Sequence, residues 1–450
     1  MKKTVVIDIV GLSSGLIGKN TPFLEQYIRQ HSLATIAPML PAVTTAVQST
    51  YVTGKWPAEH GIVGNGWYDK TDAEIKFWKQ SNKLVAGEKI WEKAKKMDPT
   101  ITCSFMFWWY NMYSSADFSV TPRPNYLADG RKLPDCYSHP ASLRDELQSA
   151  LGQFPLFQFW GPGANIKSTQ WIADATIYTD RKYDPTLTFV YLPHLDYCLQ
   201  KFGPDFNIIH KELNEIDTVV KQLVNYYTSV NTNIILLSEY GIAPVNHPIH
   251  VNRILRNEGL LAIREERGLE LLDAGASKAF AVADHQLAHI YVNDPSEKNR
   301  VKLLLEKIPG VSLVLDDTTK KVNHIDHERS GDFILVADNN SWFTYYFWLD
   351  DAKAPDYARC VDIHKKPGYD PVEMFMTSKL RAGYKLLRKK TGFRYVMDVI
   401  PLDATLIRGS HGNISAPSEY HPVIITNLVE KGKQVSPIAV HDIIWKSLIS

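Results

Sequence analysis

The chain has 450 residues, 44% apolar and 22% charged, the balance of a globular protein with room for two domains or one large one. A net charge of +1 gives no electrostatic case for nucleic acid or a membrane as the main partner, and no run reaches the ~18 apolar residues of a membrane span. Cys103, Cys136, Cys198 and Cys360 lack CxxC spacing and indicate neither a thiolate zinc site nor a disulfide framework. A strand is predicted from Thr4, leaving no room for a signal peptide, and the expectation is a soluble, cytoplasmic protein.

The first strand, Thr4 to Gly11, is β-branched and carries one carboxylate, Asp8. An isolated buried charge is expensive, and an acid near the C-terminal end of a strand in an open α/β sheet faces the ligand crevice. Asp8 is therefore a candidate metal ligand. The stretch Leu40 to Asn65 follows. Thr44 and Thr45 stand at N-cap positions ahead of AVQSTYVT, about two helical turns that Gly54 stops. An ordinary capped helix has this pattern, but so does an anion site, because unpaired N–H groups and the positive dipole end favour phosphate. The amide of Asn65, after the turn at His60-Gly61, is a candidate donor to the same anion.

From about Gly66 to Ile177 the chain is aromatic: Trp67, Tyr68, Phe77, Trp78, then FMFWWYNMY from Phe105, then Phe154 to Trp160. Such clusters are core in most proteins. With Lys79, Asn111, Arg123, Arg131 and Lys132 interleaved they also suit a pocket for a planar or apolar group, and the segment is expected to be an insertion over the active site, outside the sheet. Regular α/β alternation resumes with the strand Leu187 to Leu192 and Asp196 after it, a helix from Glu212 to Tyr227, and the strand from Asn233 followed by Glu239. Three strand-end acids on one sheet edge repel one another unless a cation lies between them. Residues 246–390, with predicted strands at 279–286, 289–292 and 331–337, are expected to form a cap. The core is then 1–245 with 391–450, and it closes with the loop at His411 before the strand Pro422 to Thr426.

Asp8 in the first strand, Thr44 about ten residues before a Thr-Gly pair, and the HGIVGN run ending at Asn65 resemble the alkaline phosphatase superfamily. The nearest branch is the nucleotide pyrophosphatase/phosphodiesterase group, with phosphonoacetate hydrolase close by. The resemblance implies a three-layer αβα core with a mostly parallel central sheet. It also implies two divalent metal ions, usually zinc, and a threonine nucleophile, placed on Thr44 by counting back from Gly54, with Thr45 the other candidate. Carried over by position, the metal ligands are Asp8, Thr44, Asp196, Glu239 and His411. The chain departs from the family pattern at Gln200 and Tyr240, where histidines are expected, and at Glu239, which stands for Asp. Gln and Tyr are poor zinc ligands, and oxygen-rich sites suit Mn, Mg or Fe. His194, His285 and His364 are candidate replacements, with His285 preferred because Asp284 can orient it.

Two functions are open at this point. One is a metal-dependent phosphoryl-transfer hydrolase acting on a small phosphodiester, pyrophosphate or phosphonate, through Thr44 and a phosphothreonine intermediate. The other is a phosphate-ligand-binding protein that has lost part of the dimetal site.

Overall fold

In the computed structural model, which describes residues 1–450, a nine-stranded sheet runs through the molecule. Its strands are β1 (Thr4–Ile9), β2 (Leu33–Ile36), β3 (Cys103–Met106), β4 (Phe118–Pro122), β5 (Cys136–His139), β6 (Leu187–Leu192), β7 (Asn233–Leu237), β8 (Val423–Ile425) and β9 (Gln434–Val435). Their spatial order is β9-β2-β8-β7-β1-β6-β3-β4-β5. From β7 to β4 every neighbouring pair is parallel. Strand β8 runs against β7 and β2, and β5 runs against β4.

A parallel sheet must be covered on both faces, and the alternation in β1 shows how. Val5, Ile7 and Ile9 pack with Ile172, Leu213 and Ile216 from the helices Ile166–Tyr183 and Phe206–Ser229. Val6 packs on the other side with Tyr51, Trp91 and Ile444, from the helices Thr44–Thr53, Ile90–Met97 and Ala439–Ile449. Successive strand side chains point to opposite faces, so one short apolar run feeds both layers. The architecture is the three-layer αβα sandwich.

One expectation is overturned. Strands β3, β4 and β5 all lie within 66–177, so that stretch contributes three strands to the sheet and is not simply an insertion over it. Phe105 and Trp108 are buried against Phe189 of β6, which is core packing. Aromatic residues favour strands as readily as they line pockets, and their density alone does not separate the two.

A second cluster of buried hydrophobics surrounds a four-stranded antiparallel sheet of Ala279–Asp284, Leu287–Val292, Phe333–Ala337 and Val311–Leu315. It takes in Tyr68 and Phe77 as well as Val399, Ile400, Ala404 and Ile407, so its packing extends beyond 246–390 on both sides. A smaller cluster joins Leu40, Val43 and Val63 to Leu287, Ile334 and Val336, which fixes the Thr44 segment against this second sheet.

Candidate active site

Strands β6, β1 and β7 are neighbours, and Asp8 stands in register with Tyr191 and Leu237. The chain reaches Asp196 just after β6 and Glu239 just after β7, so all three acids meet at the C-terminal edge of the sheet, where ligands bind in open α/β folds. Gly241 makes the turn after Tyr240 possible: a Cβ there would lie 1.9 Å from the Tyr420 carbonyl oxygen. The helix Thr44–Thr53 starts at the same edge, with Val43 as an extended N-cap, and Gly54 ends it in the left-handed region at φ 65°.

The two threonines have different surroundings. Thr44 lines a cavity of about 580 Å³, and its Oγ1 lies 3.1 Å from the Tyr240 hydroxyl. Thr45 is fully buried and its hydroxyl is spent on the Gly64 carbonyl at 2.8 Å and Asn65 Oδ1 at 3.1 Å. Asn65, expected from the sequence to donate to the anion, is not among the residues lining the cavity. Its Oδ1 faces Thr45, and its Nδ2 and backbone N–H both donate to Asp284, at 3.0 and 2.7 Å. Those partners fix the amide orientation and use one of the two Nδ2 hydrogens. Asn65 braces the start of the helix.

Asp8 and Glu239 form the first half of the site. The Gln48 side-chain amide donates to both, at 3.5 Å to Asp8 Oδ2 and more closely to Glu239 Oε1, while its oxygen accepts from Trp109 N–H at 2.5 Å. Asp8 Oδ1 and Glu239 Oε2 are buried without a partner. Burial first, then the Glu239 charge, pushes the Asp8 carboxyl well above the ordinary range, and burial raises Glu239 as well. Gln48 lies one helical turn beyond Thr44 on the same face, a spacing that marks it as a site residue, although the sequence reading passed it over.

The second half is a stack of four rings. Tyr240 lies on His411 at 3.6 Å and 5°, His411 on His285 at 3.8 Å and 38°, and His285 on Tyr369 at 3.6 Å and 23°. Hydrogen bonds join the ends of the stack. Tyr240 donates to Asp196 Oδ1 at 3.1 Å, Gln200 donates to Asp196 Oδ2 at 2.8 Å, and Tyr369 donates to Gln200 Oε1 at 2.8 Å. His411 gives its Nδ1 proton to the Ala42 carbonyl at 2.7 Å, and His285 gives its own to Asp284 at 2.8 Å. Burial drives both imidazoles well below their usual pKa, so both are neutral, and it pushes Asp196 up to about 7 against the hydrogen bonds from Tyr240 and Gln200. His194 lies 3.2 Å from Glu215, and His364 is at the cavity wall.

This donor set does not fit a pair of metal ions. No group of three or more His, Cys, Asp or Glu side chains stands close enough to hold one. The His285 and His411 rings are inclined at 38°, and His411 Nε2 is buried without a partner, 3.9 Å from Asp196 Oδ1. Both Asp196 oxygens already accept hydrogen bonds, and Gln200 is held between Asp196 and Tyr369. His285 does adjoin His411, as expected of a replacement, but as a stacking partner. The Asp8–Glu239 half is different: two buried, partnerless carboxylate oxygens beside the Thr44 hydroxyl fit one hard cation.

Above the floor of Thr44, Asp196, Tyr240 and His285, the cavity walls are Trp78, Trp109, Phe159, Trp160 and Tyr197, with Arg123, Lys132 and Lys389 among them. Asn111 is not there; its amide is buried on the Phe105 and Val120 carbonyls. A larger, more open depression of about 770 Å³, between the helices Ile166–Tyr183 and Phe206–Ser229, contains none of these groups.

The fold is shared with known proteins. The fold matches murine ectonucleotide pyrophosphatase/phosphodiesterase 5 in complex with AMP at TM-score 0.60 and 14% identity, over 100% of this chain and 95% of that one. It also matches phosphonoacetate hydrolase from Sinorhizobium meliloti, in complex with phosphonoacetate, at TM-score 0.60 and 13% identity, over 99% and 96%. In sequence the chain is 25% identical over 221 residues to an uncharacterized pyrophosphatase/phosphodiesterase of Schizosaccharomyces pombe, covering 47% of this chain and 38% of that protein. It is 25% identical over 272 residues to ectonucleotide pyrophosphatase/phosphodiesterase 1 of Saccharomyces cerevisiae, covering 55% and 35%. The chain thus spans little more than a third of the length of these two relatives. Residues 4–370 match the family described as type I phosphodiesterase/nucleotide pyrophosphatase, and the chain belongs to that family.

Proposed function

We propose that this chain hydrolyses a small phosphodiester, pyrophosphate or phosphonate, with Thr44 as nucleophile and the aromatic cavity gripping the departing group. One observation carries the reading: Thr44 is a hydroxyl at the start of a helix that opens onto the cavity, while its neighbour Thr45 is consumed by structural hydrogen bonds. A phosphoryl group placed there meets the positive end of the helix dipole. Thr44 Oγ attacks phosphorus and the bond to the leaving group breaks, giving a phosphothreonine that water then hydrolyses. The Thr44 proton passes to the Tyr240 oxygen, and the Tyr240 proton to Asp196 Oδ1, along contacts of 3.1 Å each. A divalent cation on Asp8 and Glu239 supplies charge neutralisation for the phosphoryl oxygens when bound. Trp78, Trp109 and Trp160 offer flat apolar faces to the departing group, and Arg123 and Lys132 suit a second negative charge on it.

A second reading, a binding protein that retains the pocket without turnover, is supported by the hydrogen bonds from Tyr240 and Gln200, which occupy both Asp196 oxygens that a second metal requires. A panel of chromogenic phosphodiesters, phosphomonoesters and a phosphonate, run with wild type and Thr44→Ala after loading with Mn, Mg or Zn, separates the two. Turnover of a diester or phosphonate that disappears in Thr44→Ala supports the enzyme. Equal, background rates with retained ligand binding support the binding protein.

A further inference from the structure

The helix Lys379–Lys390 contributes little to either core, yet it forms part of the cavity wall. Leu380, Tyr384 and Leu387, spaced four and three residues apart on one helical face, are 88%, 57% and 60% exposed. Phe393 and Val396 extend this apolar surface beyond the helix. Charge surrounds it on one side of the ledger only. From Met374 to Met397 there is no Asp or Glu, while Lys379, Arg381, Lys385, Arg388, Lys389, Lys390 and Arg394 are all cationic. Arg381 and Lys385 pair with Asp398, and the other five make no ion pair.

A run of cations around exposed leucine and aromatic side chains has a specific physical complement. A protein partner that covered the apolar face would also have to neutralise the cations. An anionic lipid surface does both at once: its phosphates and carboxylates meet the Lys and Arg heads, and its acyl boundary takes up the Leu, Tyr and Phe side chains. No helix of the chain is long and apolar enough to cross a membrane, so the contact is with the surface plane. The inner side of the same element, at Ala382, Leu386, Lys389, Tyr395 and Met397, lines the cavity that reaches Thr44.

We propose that the Lys379–Lys390 helix, with Phe393 and Val396, docks this face of the protein on an anionic bilayer and brings the mouth of the aromatic cavity to the membrane surface. An amphiphile bearing a phosphoester could then enter with its apolar part passing directly from the bilayer. Docking itself requires no turnover, so the test below stands or falls separately from the proposed reaction.

The experiment is flotation of the full chain with phosphatidylcholine vesicles, with and without about 30% phosphatidylserine, at low and high salt. The variants are Leu380→Asp/Tyr384→Asp/Leu387→Asp and Arg388→Glu/Lys390→Glu, exposed positions except for the half-buried Arg388, with circular dichroism to check folding and Thr44→Ala as a control. Wild type and Thr44→Ala should bind the anionic vesicles at least about tenfold better than the neutral ones, binding should weaken in high salt, and each helix variant should lose about tenfold or more. Wild type that stays unbound on anionic vesicles overturns the proposal. So does a folded triple variant that floats as well as wild type, or a self-association that the triple variant abolishes while vesicle binding is absent in both.

Discussion

The Tyr240 ring lies flat against His411, with centroids 3.6 Å apart, while its hydroxyl lies 3.1 Å from both Thr44 Oγ1 and Asp196 Oδ1. One side chain thus stacks on an imidazole and joins the candidate nucleophile to a carboxylate. Tyr240→Phe keeps the ring and removes only the joining hydroxyl. Turnover is expected to fall about 10²-fold with little change in melting temperature, the scale of losing a positioned proton carrier. Steady-state rates beside a thermal melt check this.

Metal stoichiometry follows from the ring stack. After loading with excess Mn or Zn and gel filtration, elemental analysis should find about one ion per chain at the Asp8–Glu239 pair and not two. Asp8→Asn should remove it. Gln200→His with Tyr240→His removes the hydrogen bonds from Tyr240 and Gln200 to Asp196 and supplies two imidazoles, and the count should rise towards two.

Thr45 is a stability residue on this geometry. Thr45→Ala leaves the Gly64 carbonyl buried without its donor, while the backbone N–H at position 45 still reaches Asn65 Oδ1, a loss of about 1–3 kcal/mol in unfolding free energy. Thr45→Ser keeps the hydroxyl and should recover most of it. Denaturant titration of the three proteins measures the ordering.

The Asp196 carboxyl gives a pH signature in chelator-treated protein. Its folded pKa is about 7, above the ordinary carboxylate value, so the folded state holds a proton that the unfolded state has released. Stability from this group is complete below the unfolded pKa and is lost as pH rises towards 7, with a slope of at most about 1.4 kcal/mol per pH unit. Asp196→Asn should flatten the profile between pH 4 and about 7. Urea midpoints at several pH values test it.

The αβα fold was legible from three strand runs, each with an acid at or just beyond its C-terminal end, because buried parallel strands read as short β-branched runs whose polar residues lie at the ligand edge. The aromatic stretch was misread as an insertion: Phe105 packs on Phe189 through pairing between strands far apart in sequence, and no local pattern shows that partnership. For the same reason Asp284 was seen as a partner of His285, but its two bonds to Asn65 were not. The substitutions at Gln200 and Tyr240 were visible as departures. What they do became visible only when Tyr369, remote in the chain, was found holding Gln200. The whole-chain charge of +1 concealed the acid-free cationic run from Met374 to Met397, since a sum over the chain averages out a local patch.

The central claim is that Thr44 attacks phosphorus. It is tested most directly by intact-protein mass spectrometry of wild type and Thr44→Ala, acid-quenched during turnover of a reactive phosphodiester, with steady-state rates measured in parallel. The account predicts a transient adduct on wild type, mapped by peptide sequencing to Thr44, and a loss of roughly 10³-fold or more in turnover for Thr44→Ala. An adduct on another residue, or a Thr44→Ala protein that turns over the diester as fast as wild type, would contradict it.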